Sequence, residues 1–175
     1  RRASAWLQAN GFVQGAIRHS LAAEDFEHAR TLIADQTEMM FVRSELRTLT
    51  RWFEALPESM LAEDPFLSTA MGWTLLATGR YEEVEPWLQA VERQVGVPAE
   101  DAQAAAALSR DACGALAEVL CIRTSLAFNQ LDLSRMKALS SRAQAYLEDG
   151  IDGSFSSNLS LRGVLAFDLA LGHEY

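Results

Sequence analysis

The chain has 175 residues, 49% of them hydrophobic and only 4 of them proline, so it is long enough for one sizeable core and too apolar to stay unfolded. Its formal charge of −9 opposes the counterion exchange by which Lys and Arg bind DNA, so no nucleic-acid surface is expected. Arg1 to Phe12 lacks the apolar core of a signal peptide and no run of about 18 apolar residues follows, so a soluble, cytoplasmic chain without membrane contact is expected.

Alanine and leucine dominate and β-branched residues are sparse, which favours helix because neither residue loses much side-chain freedom there. Phe12 to Leu21 is apolar on more than one face. Phe26, Ala29, Ile33 and Met40, interrupted by Gln36, then form a single stripe at steps of three and four. Leu46, Leu49, Phe53 and Leu56 repeat the stripe, and Pro57 ends it. The pair Asp64-Pro65 predicts a capped helix start, and Pro65 to Ala77 is again apolar nearly all round. Tyr81, Val84, Leu88, Val91 and Val95 give the third stripe, with Pro86 predicting a bend or a loosened first turn.

Gly96 to Pro98 is a breaker, and Ala102 to Asn129 reads as a long helix buried on several sides. Cys113 and Cys121 both fall in it, roughly 12 Å apart at helical rise, which is beyond disulfide reach. Leu133, Met136, Ser140, Ala143 and Leu147 form the fourth stripe, and Gly150 to Asn158 favours turns. Leu159 to Leu171 is a last apolar helix. The ending Leu169 to Tyr175 resembles Leu76 to Tyr81, the turn from an inner helix into its partner, so the chain is expected to be a fragment of a longer protein.

A helix apolar on several faces must be covered from two sides, as the inner helix of a stacked hairpin is. The expected fold is all-α: tandem antiparallel helix hairpins in a tetratricopeptide-like right-handed superhelix, one domain over 1–175. The hairpins are expected at about 3–42, 44–96 and 101–148, with an unpaired helix at about 157–172. Leu46 and Tyr81 lie 35 residues apart, close to the roughly 34-residue tetratricopeptide period, while the other spacings, 20 and 52, mark the repeats as degenerate.

Catalytic patterns are missing. The single lysine, Lys137, has no glycine loop before it, so a phosphate-cradling motif is excluded, and there is no nucleophile elbow, zinc helix or dinucleotide fingerprint. His19 and His28 flank Glu24-Asp25 at a separation that fits no helical ligand pair, so no metal is expected. Cys121 has no adjacent base, and Arg123 is the cation nearest it in sequence. Arg43, Arg47 and Arg51, spaced by four, form a positive stripe that either pairs locally with Glu54 or Glu58 or serves as a docking edge for an acidic neighbour. In a tetratricopeptide-like register set by Gly72, the inner helix turns Phe66, Thr69, Trp73 and Leu76 toward a concave groove. The next inner helix adds Glu118, Cys121, Ser125 and Asn129. Together they are a candidate ligand surface of aromatic and polar groups, set against the alternative that Trp73 is core.

Arg2 to Gly11, Ala16-Ile-Arg-His-Ser-Leu-Ala-Ala-Glu-Asp-Phe26, Leu49-Thr-Arg-Trp-Phe-Glu-Ala-Leu-Pro57, Pro65-Phe-Leu, Gly72-Trp-Thr-Leu-Leu and Gly79-Arg-Tyr resemble the helical-repeat region of large ATP-binding LuxR-type transcription activators of the maltose-activator (MalT-like) kind. The resemblance runs to about Glu92 and continues more loosely beyond. It implies a segment that receives a small-molecule inducer or a regulatory protein and helps self-association. ATP is expected only in a separate N-terminal domain and DNA in a C-terminal one, with no cofactor in this segment. The competing functions are a generic tetratricopeptide scaffold gripping an acidic C-terminal peptide, for which one lysine is little, and an all-helical enzyme, for which no acid, base and nucleophile are gathered.

Overall fold

The computed structural model describes residues 2–101 and 108–148, and every regular element among them is helical. In chain order these are α1 (Arg2–Ala9), α2 (Val13–Ala22), α3 (Phe26–Val42), α4 (Leu46–Glu54), α5 (Glu58–Ala62), α6 (Pro65–Ala77), α7 (Glu85–Val95), α8 (Arg110–Asn129) and α9 (Leu133–Glu148). The expected apolar helix over Leu159 to Leu171 and the closing turn lie outside the described residues.

Five of the junctions share one backbone geometry. Gly11, Glu24, Ser44, Gly79 and Leu131 all have positive φ, between 52° and 79°. The N–H of the following residue (Phe12, Asp25, Glu45, Arg80 and Asp132) donates back to the carbonyl of Leu7, Ser20, Met40, Leu75 and Ala127, at 2.8–3.0 Å. This left-handed turn satisfies the orphan carbonyls of the outgoing helix and sends the chain into the next helical segment at once. It also explains the recurring anchors: Phe26, Leu46, Tyr81 and Leu133 each stand one residue beyond such a turn. Tyr81 and Leu133 begin their segments but are 45% and 59% exposed, so the buried stripes start one turn later, at Val84 and Met136.

Other boundaries are fixed by side chains. Asp64 Oδ1 accepts from the N–H groups of Phe66 and Leu67, capping α6 with Pro65 in its first turn, as the Asp-Pro pair predicts. Ahead of Pro86 the chain forms a 3-10 turn at Tyr81–Glu83 and α7 proper starts at Glu85, so the first turn is loosened as expected. α8 begins later than its pattern suggested, at Arg110, where Ser109 Oγ accepts from the N–H of Ala112. After Pro57, the short helix α5 appears where the sequence showed only a break.

Packing proceeds between near neighbours. α1 packs on α2, α2 on α3, α3 on α4, α4 on α6, α6 on both α7 and α8, and α8 on α9. Leu49, Phe53, Leu67, Leu75, Val84, Leu88, Val91, Leu116 and Leu120 are fully buried. Their removal from water is the main stabilising force. In α8 every residue from Cys113 to Thr124 is buried, as a helix apolar on all sides requires. Gly72 lies where α6 meets α7 and α8: a Cβ there would stand 3.2 Å from Ile122 Cδ1 and 3.3 Å from Leu88 Cδ2. Both cysteines are buried, and no disulfide joins them.

Candidate functional site

The stacking of α6 on α8 brings Trp73 and Glu118, two of the sequence-predicted groove residues, into direct contact. The Trp73 indole N–H donates to Glu118 Oε2 at 2.7 Å. Burial pushes the Glu118 carboxyl up to about 7, against the smaller opposing effect of the indole N–H. Trp73 is half-buried and packed against the core.

The remaining groove residues divide by exposure. Phe66 and Leu76 are half-buried at the edge of the core. Thr69 is buried, its hydroxyl donating to the Pro65 carbonyl at 2.6 Å. Cys121 has no exposed surface and Glu118 is 5% exposed, so neither opens onto solvent. The register that aimed them at an open groove underrated how completely α8 is enclosed. Ser125 is half-buried and its hydroxyl donates to the Cys121 carbonyl. Asn129 is exposed: its Nδ2 donates to the Ser125 carbonyl at 2.9 Å, and Tyr81 Oη donates to its Oδ1 at 3.4 Å. The open part of this face is therefore narrow, formed by the edges of Phe66, Trp73, Leu76 and Ser125 and by Asn129.

Beside it lies an ionic cluster that is not among the sequence-predicted site residues. Arg123 is 8% exposed overall and holds two carboxylates of α7 at once. Its Nη1 donates to Glu92 Oε1 at 2.7 Å and its Nη2 to Glu85 Oε1 at 2.6 Å, with further bonds to the second oxygen of each. Glu92 Oε1 also accepts the Ala99 N–H at 2.7 Å. Burial lowers the affinity of the Arg123 guanidinium for its proton, but the two carboxylates outweigh that and raise it. Burial likewise raises the Glu92 carboxyl, while Arg123 and the Ala99 N–H more than reverse this and hold it below its usual range. The cluster staples α8 to α7. Its signal was in the sequence: a lone cation in the apolar run Leu120-Cys-Ile-Arg-Thr124 must find a carboxylate when buried.

The arginine stripe is regrouped by the fold. Arg43 caps the end of α3 ahead of the left-handed turn at Ser44, so only Arg47 and Arg51 share α4. Arg51 does not pair with Glu54, which goes instead to Arg80 at 2.6 Å; its Nη2 reaches the Thr48 hydroxyl at 3.5 Å. Arg18 of α2 joins this surface: Gln14, Arg18, Thr48, Arg51 and Trp52 line one groove, and Arg47, Thr50, Arg51, Thr78 and Arg80 line the next. Among the described residues, no group of three or more His, Cys, Asp or Glu side chains could hold a metal, and no helix is long and apolar enough to cross a membrane.

Over 95 residues the chain is 37% identical to the HTH-type transcriptional regulator MalT of Klebsiella pneumoniae strain 342. The same identity over the same length relates it to MalT of Klebsiella pneumoniae subsp. pneumoniae strain ATCC 700721 / MGH 78578. The match covers 54% of this chain and 10% of each relative, so the chain spans only a small part of the length of the curated relatives it matches. No family model matches the chain, and no solved structure does.

Proposed function

We propose that this chain is an effector-sensing or partner-binding segment of a LuxR-type, MalT-like bacterial transcriptional regulator acting in the cytoplasm. The observation that carries the reading is the 37% identity to MalT over 95 residues. In this reading the hairpins α2/α3, α6/α7 and α8/α9 stack as a tetratricopeptide-like right-handed superhelix, and α2, α4, α6 and α8 line its inner surface. Effector or partner is received there, on the edges of Phe66, Trp73 and Leu76 and on Asn129, and the segment contributes to self-association. It catalyses nothing and holds no cofactor. ATP and DNA are handled by other domains of the regulator.

The test uses the full-length regulator in a reporter strain, with Trp73→Phe and Asn129→Ala scored for effector-dependent induction, DNA binding and melting temperature. Both variants are expected to fold and bind DNA but to respond weakly to the effector. Wild-type induction by both would overturn the reading of this face.

A further inference from the structure

The chain is strongly acidic, yet one stretch of its surface is cationic. Three adjoining grooves of about 380, 570 and 470 Å³ run from α2 across α4 to the end of α6. The first two share Arg51, and the last two share Arg47 and Thr78, so they form one continuous trough. Arg30, Arg80, Arg123 and Arg142 are committed to carboxylates, Arg80 in the wall of the trough itself. Arg18, Arg47 and Arg51 are exposed and make no ion pair with any described residue.

Of the carboxylates near the trough, Glu54 and Glu83 are held by Arg80, while Glu45 lines its far end, where it accepts the neutral Gln14 amide at 3.2 Å and keeps its charge. The trough therefore presents unmatched guanidinium groups beside Thr48, with the buried Trp52 indole in its floor.

We propose that this trough receives an acidic peptide segment of a partner protein, its carboxylates taken by Arg18, Arg47 and Arg51. The inference rests on the partner-binding reading above and names the partner's chemistry. An elongated, open trough with cations spread along it suits an extended chain, whereas a compact anion needs cations converging on one point. Guanidinium forks match carboxylates in geometry and charge. A nucleic acid presents one charge per about 1.7 Å and needs cations along a whole face, which an acidic protein with three free arginines here does not supply.

Fluorescence anisotropy with a labelled oligo-glutamate peptide and the whole chain tests this. Saturable binding is expected, weakening as salt rises and absent for the oligo-glutamine counterpart. The double variant Arg47→Glu/Arg51→Glu should weaken it at least about tenfold. The double variant Arg93→Glu/Arg135→Glu, on α7 and α9, makes the same change in net charge and should leave binding within about twofold of wild type. Far-UV circular dichroism checks that both variants are helical. No saturable binding, an equal loss in the control variant, or equally tight binding of a labelled oligothymidylate would each overturn the proposal. Loss of effector response in the reporter strain alongside absent peptide binding would sink the acidic partner and leave the sensing segment standing.

Discussion

Trp73 and Glu118 join α6 to α8 through an indole N–H donated to a carboxyl that has left water. With the Glu118 carboxyl pushed from 4.5 up to about 7, the folded chain holds this proton more tightly than the unfolded one. Its contribution is therefore most favourable below about pH 4.5, declines as pH rises toward 7, and is flat above that. The span is worth about 3 kcal/mol at most. Glu92, held below its usual range, adds its dependence only below that window. Glu118→Gln keeps an acceptor for the indole and removes the ionisation. Urea unfolding at the two ends of the window should show the decline in wild type and a flatter profile in the variant. An unchanged profile would place the titration elsewhere.

Arg123→Ala should be far more costly than Arg142→Ala. The first leaves the largely covered Glu92 without its cation, while Glu85, 43% exposed, can turn to water, and it should cost about 3 kcal/mol. The second breaks an exposed pair with Glu100 and should cost less than about 1 kcal/mol. Thermal melts of the two variants side by side decide it, and equal losses would mean that the staple between α7 and α8 carries no strain of burial.

Leu131 is 81% exposed and sits at φ 59° in the turn between α8 and α9. A side chain in that backbone region costs about 1–2 kcal/mol, and the added flexibility of glycine when unfolded offsets only part of it. Leu131→Gly is expected to stabilise the chain by about 0.5–1 kcal/mol, read as a higher urea midpoint. A lower midpoint would show that the exposed leucine is held by contacts its burial does not reveal.

Gly72→Leu should destabilise by at least about 1–3 kcal/mol, because even its Cβ meets Ile122 and Leu88 at closer than ordinary contact. Leu49→Ala and Leu88→Ala, at fully buried positions, should cost about 2–5 kcal/mol. Losses below about 0.5 kcal/mol would be surface behaviour and would contradict the packing.

Much of this fold was legible because helical stripes and turn chemistry are local. The cap at Asp64, the loosened turn before Pro86 and the enclosed α8 all follow from residues close in sequence. What depended on distant neighbours was less readable. Cys121 and Thr69 share a plausible register with Trp73, but their exposure is set by how tightly α6 and α8 approach through Gly72, which no local spacing encodes. The arginine spacing of four runs across the boundary expected between 42 and 44, where Ser44 takes a left-handed conformation, so Arg43 ends α3 while Arg47 and Arg51 share α4. Of the ionic cluster, Arg123 was visible, but its partners lie 31 and 38 residues away.

Helices that lean chiefly on near neighbours give a chain in which a disturbance is handed on one pair at a time, like slack along a string of beads. Asp64 departs from that pattern. One oxygen of its carboxylate fixes the first turn of α6, and the other holds Arg30 of α3 at 2.8 Å, passing over α4 and α5. A tug on α3 thus arrives at the head of α6 through a single side chain, and here the array bears load as a truss.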